Sequence, residues 1–157
     1  MKLESQIEIC ATPEQVWTGL HTPQLLKKAI RGCSDLQWAA PYKAPFEGPE
    51  DKILKAKFET QIGPIDIGLK GTLTLSDQVP FKSYNLVGQG SGLLVGKARG
   101  EAFVSLYEQN GGTLLKVEAA GQVSGMLAQI GNQLVAGAAL KQLDIFLEKL
   151  KSLIEAQ

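Results

Sequence analysis

Three stretches of this chain alternate apolar and polar residues with period two, and in two of them much of the apolar face is too small to fill a core. Residues 65–75 set the pattern: Ile65, Ile67, Leu69, Gly71, Leu73 and Leu75 alternate with Asp66, Gly68, Lys70, Thr72 and Thr74. That is a half-buried antiparallel strand. Further on, the same kind of face carries Ala98, Gly100, Ala102, Val104 and Leu106, then Leu115, Val117, Ala119, Gly121 and Val123. A sheet lined with Ala and Gly must be approached closely by a helix or leave a hole. Either way a hydrophobic pocket between sheet and helix is expected, which points to ligand binding rather than chemistry.

Length and charge narrow the class. The 157 residues suit one domain, 1–157, large enough to bury most of its apolar surface. Sixteen basic and sixteen acidic side chains cancel, and no basic stripe marks a nucleic-acid partner. Met1-Lys2-Leu3-Glu4 runs straight into an alternating strand, so no signal-peptide core is expected. No apolar run approaches the ~20 residues that span a bilayer. Cys10 and Cys33 form no CxxC pair; they read as free thiols of a reducing compartment or, alternatively, as a disulfide. A soluble, cytoplasmic protein is the expectation.

Residues 2–10 read as a first strand, with Leu3, Ser5, Ile7 and Ile9 on one face. Thr12-Pro13-Glu14-Gln15 reads as a capping box that opens a short helix burying Val16, Trp17 and Leu20. Thr22-Pro23 opens a second helix, and Gly32 ends it. A short strand at 34–38 follows. Residues 39–51, with Pro41, Pro45, Gly48 and Pro49, forbid regular structure and carry Tyr42 and Phe46. Strands are expected at 53–62, 65–75, 83–90, 97–107 and 113–123, then one long helix over 125–155. Its second half is amphipathic through Leu140, Leu143, Leu147, Leu150 and Ile154. Leu127, Ile130, Leu134 and Ala138 lie on another side, beside the bulk-free run 136–139. Either the helix bends near Gly137, or it is apolar over a broad arc because it crosses a cavity. The fold class is α+β, a curved antiparallel sheet around a C-terminal helix.

This order, with particular residues, resembles the Bet v 1/START-like helix-grip superfamily, and within it the CoxG family, the G subunits of carbon monoxide dehydrogenase. The resemblance rests on four elements in order. The first is Ala11, Pro13, Val16, Trp17, Leu20, Pro23, Leu26 and Ile30, then Gly32-Cys33. The second is Gly63-Pro64-Ile65 with Leu69, Gly71, Leu73, Leu75 and Asp77. The third is Gly88, Gly90 and Gly92 leading to Ala98, Gly100, Ala102, Val104 and Leu106. The fourth is residues 125–131 with Leu134-Val135. The resemblance implies an intracellular carrier of an apolar small molecule, a quinone or other lipid-like ligand. It further implies an accessory that brings a molybdenum hydroxylase of the carbon monoxide dehydrogenase type to the inner face of the membrane, with no cofactor of its own.

The candidate ligand-binding wall is Phe58, Leu69, Gly71, Leu86, Ala102, Ala119, Leu134 and Ala138, against the alternative that each is ordinary core. Gly88-Gln89-Gly90-Ser91-Gly92 precedes a strand rather than a helix, so it reads as a hairpin connection and not a phosphate loop. Its tip, Leu93-Leu94-Val95, is expected to tuck into the sheet; touching a membrane or capping the pocket is the alternative. Cys33 reads as a small buried hydrophobe and Trp17 as a core anchor. His21, the sole histidine, leaves no set for three-ligand zinc or for Ser/His/Asp catalysis. Asp66, Lys70, Lys116 and Glu118 fall outward by alternation, and Tyr84 inward. No acid/base pair is visible, so no catalytic residue is assigned. A cyclase- or isomerase-like enzyme and a pure docking adaptor remain the competing readings.

Overall fold

A computed structural model describes residues 1–40, 51–93 and 95–157. Residues 41–50, with Tyr42 and Phe46, and Leu94 lie outside the described residues, so the expectations placed on them go no further here. β1 (Lys2–Ile9) is followed by α1 (Pro13–Leu20) and α2 (Pro23–Ala29). Six strands follow: β2 (Cys33–Trp38), β3 (Lys52–Ile62), β4 (Ile65–Val79), β5 (Ser83–Gly92), β6 (Gly96–Gln109) and β7 (Gly112–Val123). α3 (Met126–Ile130) and α4 (Asn132–Glu155) close the chain. The strands form one antiparallel sheet in the order β1-β7-β6-β5-β4-β3-β2. This is the helix-grip architecture, with α4 lying across the sheet's inner face.

Local chemistry sets the elements where expected at the start of the chain. Thr12 accepts from the Gln15 backbone N–H, and the Gln15 side chain accepts from the Thr12 N–H, completing the capping box of α1. That helix delivers Trp17, which is fully buried. The Trp17 ring stacks on His21 at 4.5 Å and meets the Tyr84 ring edge-on at 5.4 Å.

The terminal helix departs from the expected single rod. Gly131 takes φ +106° and ψ +141°, outside any helical region, and divides α3 from α4. α4 then runs unbroken through Gly137, so no bend occurs there. The interruption lets α3 turn back onto the sheet, where the Leu127 N–H donates to the Val95 carbonyl at 3.0 Å.

Buried side chains fall into two clusters. The larger gathers α1, α2, one end of the sheet and the C-terminal half of α4 around Trp17, Leu75, Leu115, Leu147, Leu150 and Ile154. The smaller gathers Ile62, Ile67, Val95, Leu127 and Val135 at the other end. Between them the small residues of the sheet leave space unfilled.

Candidate ligand-binding cavity

That space is a cavity of about 510 Å³ between the inner face of the sheet and the start of α4. It lies within the roughly 300–1,000 Å³ that holds a small organic ligand. Its floor is a band of glycines in register: Gly71 opposite Gly90, and Gly88, Gly100 and Gly121 across β5, β6 and β7. A floor of glycines presents backbone instead of side chains. Ala56, Ala98, Ala102 and Ala119 extend it, and Leu69, Leu73, Leu86 and Phe58 form its sides. The roof is α4, through Val135, Ala138 and Ala139.

Of the eight expected wall residues, seven border the cavity: Phe58, Leu69, Gly71, Leu86, Ala102, Ala119 and Ala138. Leu134 does not. Its side chain is 52% exposed, while Val135 beside it is buried and borders the cavity. The expectation placed Leu134 in phase with Leu127 and Ile130 on one helix, and the break at Gly131 resets that phase. Positions 135, 138, 139 and 142 share the inward face of α4 instead, the spacing of one helical stripe. A glycine followed by Asn132 after an apolar run was the sequence signal for the interruption.

Two residues missed at the sequence level bring the polarity. Thr60 on β3 and Gln142 on α4 both border the cavity, and Gln142 Nε2 donates to Thr60 Oγ1 at 3.4 Å. Both also border a second, polar hollow of about 920 Å³ that holds Arg31, Glu59, Asp66 and Lys141. Cys33 lines the cavity half-buried, donating its thiol to the Asp35 carbonyl at 3.3 Å. Burial pushes that thiol's pKa up, so the group is a neutral contact rather than a thiolate nucleophile.

The other singled-out residues sit elsewhere. Tyr84 does point inward but belongs to the core against Trp17 and His21, where burial raises its hydroxyl pKa. His21 is buried, with Nδ1 2.8 Å from the Trp17 carbonyl oxygen. A carbonyl only accepts, so Nδ1 carries the proton. Burial is the largest influence on the ring and lowers its pKa, which keeps it neutral and leaves Nε2 an acceptor. Nε2 lies 2.7 Å from Oε1 of Gln78, whose Nε2 has no partner. Turning that amide by half a turn satisfies both groups.

Lys116 bridges Glu4 and Glu118 on the outer face, and Asp66 accepts from Gln61 outside the cavity. At the β5–β6 turn the expectation divides: Val95 tucks in as anticipated, but Leu93 is 92% exposed. Among the described residues no group of three His, Cys, Asp or Glu is placed to hold a metal, and no helix is long and apolar enough to cross a membrane.

Comparison with solved structures places the fold. A conserved protein from Geobacillus kaustophilus is 24% identical with a TM-score of 0.82, covering 98% of this chain and 95% of its own. A Thermus thermophilus protein is 14% identical with a TM-score of 0.78, covering 99% and 98%. The structure of Ara h 8.0201 is 12% identical with a TM-score of 0.68, covering 100% and 99%. At these identities the likeness is one of fold. A search of curated proteins finds no match. The family described as the G subunit of carbon monoxide dehydrogenase (CoxG) matches residues 5–155, nearly the whole sequence. The chain belongs to the CoxG family.

Proposed function

We propose that the protein is a carrier of a lipophilic small molecule, which it holds in the cavity between the sheet and α4. The observation that carries this is the floor of in-register glycines and alanines beneath a roof of Val135, Ala138 and Ala139. Close packing is the rule in protein interiors, and a domain that forgoes it over about 510 Å³ has room for something else. Phe58, Leu69, Gly71, Leu86, Ala102, Ala119 and Ala138 are the proposed ligand contacts. The family supports the finer reading: the ligand is a quinone, and the protein is an accessory that recruits a carbon monoxide dehydrogenase-type molybdenum hydroxylase to the membrane. The described lining favours carriage over catalysis. Arg99 and Glu101 pair with each other on the exposed outer face, which leaves no pair of ionisable side chains turned into the cavity among the described residues.

Mass spectrometry of an organic extract tests the reading, on protein purified gently from its native host. Gly90→Leu serves as the filled control, because a β-carbon at Gly90 meets nothing closer than 3.7 Å. A stoichiometric quinone or lipid present in the parent and absent from the folded variant is the expected result. An empty extract from protein exposed to its own membranes would sink the carrier reading.

A further inference from the structure

We propose that the ligand is an uncharged amphiphile held head-outward, with its apolar body in the cavity and one carbonyl or hydroxyl oxygen at the Thr60–Gln142 pair. This rests on the carrier reading and refines it. The lining is almost wholly apolar. Thr72, Gln89, Arg99, Glu101 and Gln122 border the cavity, but strand alternation puts their side chains on the exposed outer face. The Cys33 thiol is committed to the Asp35 carbonyl. Thr60 and Gln142 are then the polar side chains that face inward among the described lining residues. A few placed polar groups in an apolar site fix a ligand's orientation.

The pair is built to exchange partners. Its hydrogen bond is 3.4 Å long, beyond the usual range for N–H···O. A ligand oxygen entering between β3 and α4 accepts from the Gln142 amide and the Thr60 hydroxyl, giving up one weak bond for two. The pair also stands on the boundary with the polar hollow, so a head group there is at the cavity's wet end. Arg31 and Lys141 ring that hollow together with Glu59 and Asp66. Two cations against two carboxylates favour neither sign, and the head is therefore neutral.

Naphthalene, naphthol and naphthoate are matched probes, each displacing phenylnaphthylamine fluorescence from the intact protein. Naphthol is expected to bind about tenfold more tightly than naphthalene, the effect of one well-made hydrogen bond. In Thr60→Val and Gln142→Leu that ratio should fall toward one, with circular dichroism unchanged. A ratio unaltered in both folded variants overturns the proposal while naphthalene binding still upholds the carrier reading. Naphthoate binding more tightly than naphthol overturns the neutral head. If naphthalene itself does not compete for the folded parent, the carrier reading falls, and this proposal with it.

Discussion

Gly71 and Gly90 face each other across β4 and β5, yet they tolerate different changes. A β-carbon on Gly71 would collide with the Gln89 carbonyl oxygen and come within 2.7 Å of the Gly90 α-carbon, so the two strands approach through that glycine. At Gly90 the nearest atom is a Leu69 β-carbon at 3.7 Å, an ordinary contact. Gly71→Ala should therefore cost about 1–3 kcal/mol through overpacking against backbone, read as a lower urea midpoint. Gly90→Leu should fold and keep its midpoint while losing an apolar ligand, because its added atoms occupy the cavity. Equal midpoints for the two variants would show that the close approach at Gly71 is not a constraint. His21 supports a second prediction at this scale. Its pKa in the fold lies below the 6.5 of the free side chain because burial disfavours the charged ring. Above that value both states are neutral and the contribution to stability is complete. As pH falls through 6.5, the unfolded chain takes up a proton that the fold refuses. Stability then drops by about 1.4 kcal/mol per pH unit until the folded pKa is reached. Denaturant midpoints between pH 7 and about 5.5, above the carboxylate range, should fall in the parent and stay level in His21→Phe. A level profile in the parent would mean that the ring is charged in the fold.

Among the elements, α4 decides which side chains reach the ligand, and its phase is set by one residue. Gly131 at φ +106° and ψ +141° occupies a backbone region nearly reserved for glycine, and the helix restarts at Asn132. Leu134→Gln should accordingly leave stability within about 0.5 kcal/mol and ligand affinity unchanged, as an exposed substitution does. Val135→Gln should weaken both, since it places an unpartnered amide among Ile62, Ile67 and Leu127. Titration of an apolar fluorophore, run beside urea unfolding, checks the pair. The reverse ranking would restore the unbroken helix. This is also where sequence reading succeeds and stops. Period-two alternation locates every described strand of the sheet, and the capping box locates α1, because both are local rules written in neighbouring residues. The floor of the cavity follows from the same alternation, since the inward positions of a strand are fixed once its register is known. The roof does not follow. Helical phase accumulates over many residues, so one glycine outside the helical region moves every later residue to a new face. Thr60 and Gln142 are hidden for another reason: they meet across 82 positions of sequence, and only the packing of α4 over β3 brings them together.

The whole molecule is a fold held firmly at one end and loosely at the other. The C-terminal half of α4 buries Leu147, Leu150 and Ile154 in the larger cluster. It is also tied to β1 by Lys151 Nζ donating to the Glu8 carbonyl at 2.7 Å, and by Ser5 Oγ donating to Asp144 at 2.6 Å. The earlier half rests on the smaller cluster, and among the described residues its side-chain hydrogen bond to the sheet is the long Gln142–Thr60 contact. Regions with few buried contacts open at lower free energy than the rest, so amides of residues 126–141 should exchange faster than those of 143–155. A ligand in the cavity joins the two clusters through the space between them, and it binds only the folded chain. At a hundred times its dissociation constant it should add about 2.7 kcal/mol, a rise of roughly 5–11 °C in the melting temperature of a domain this size. The rise should come with selective slowing of exchange in residues 126–141, because that segment is the roof which an empty cavity leaves unsupported. Protection spread evenly along α4 would instead mean that the helix opens as one unit and that the ligand stabilises the fold without bridging its two cores.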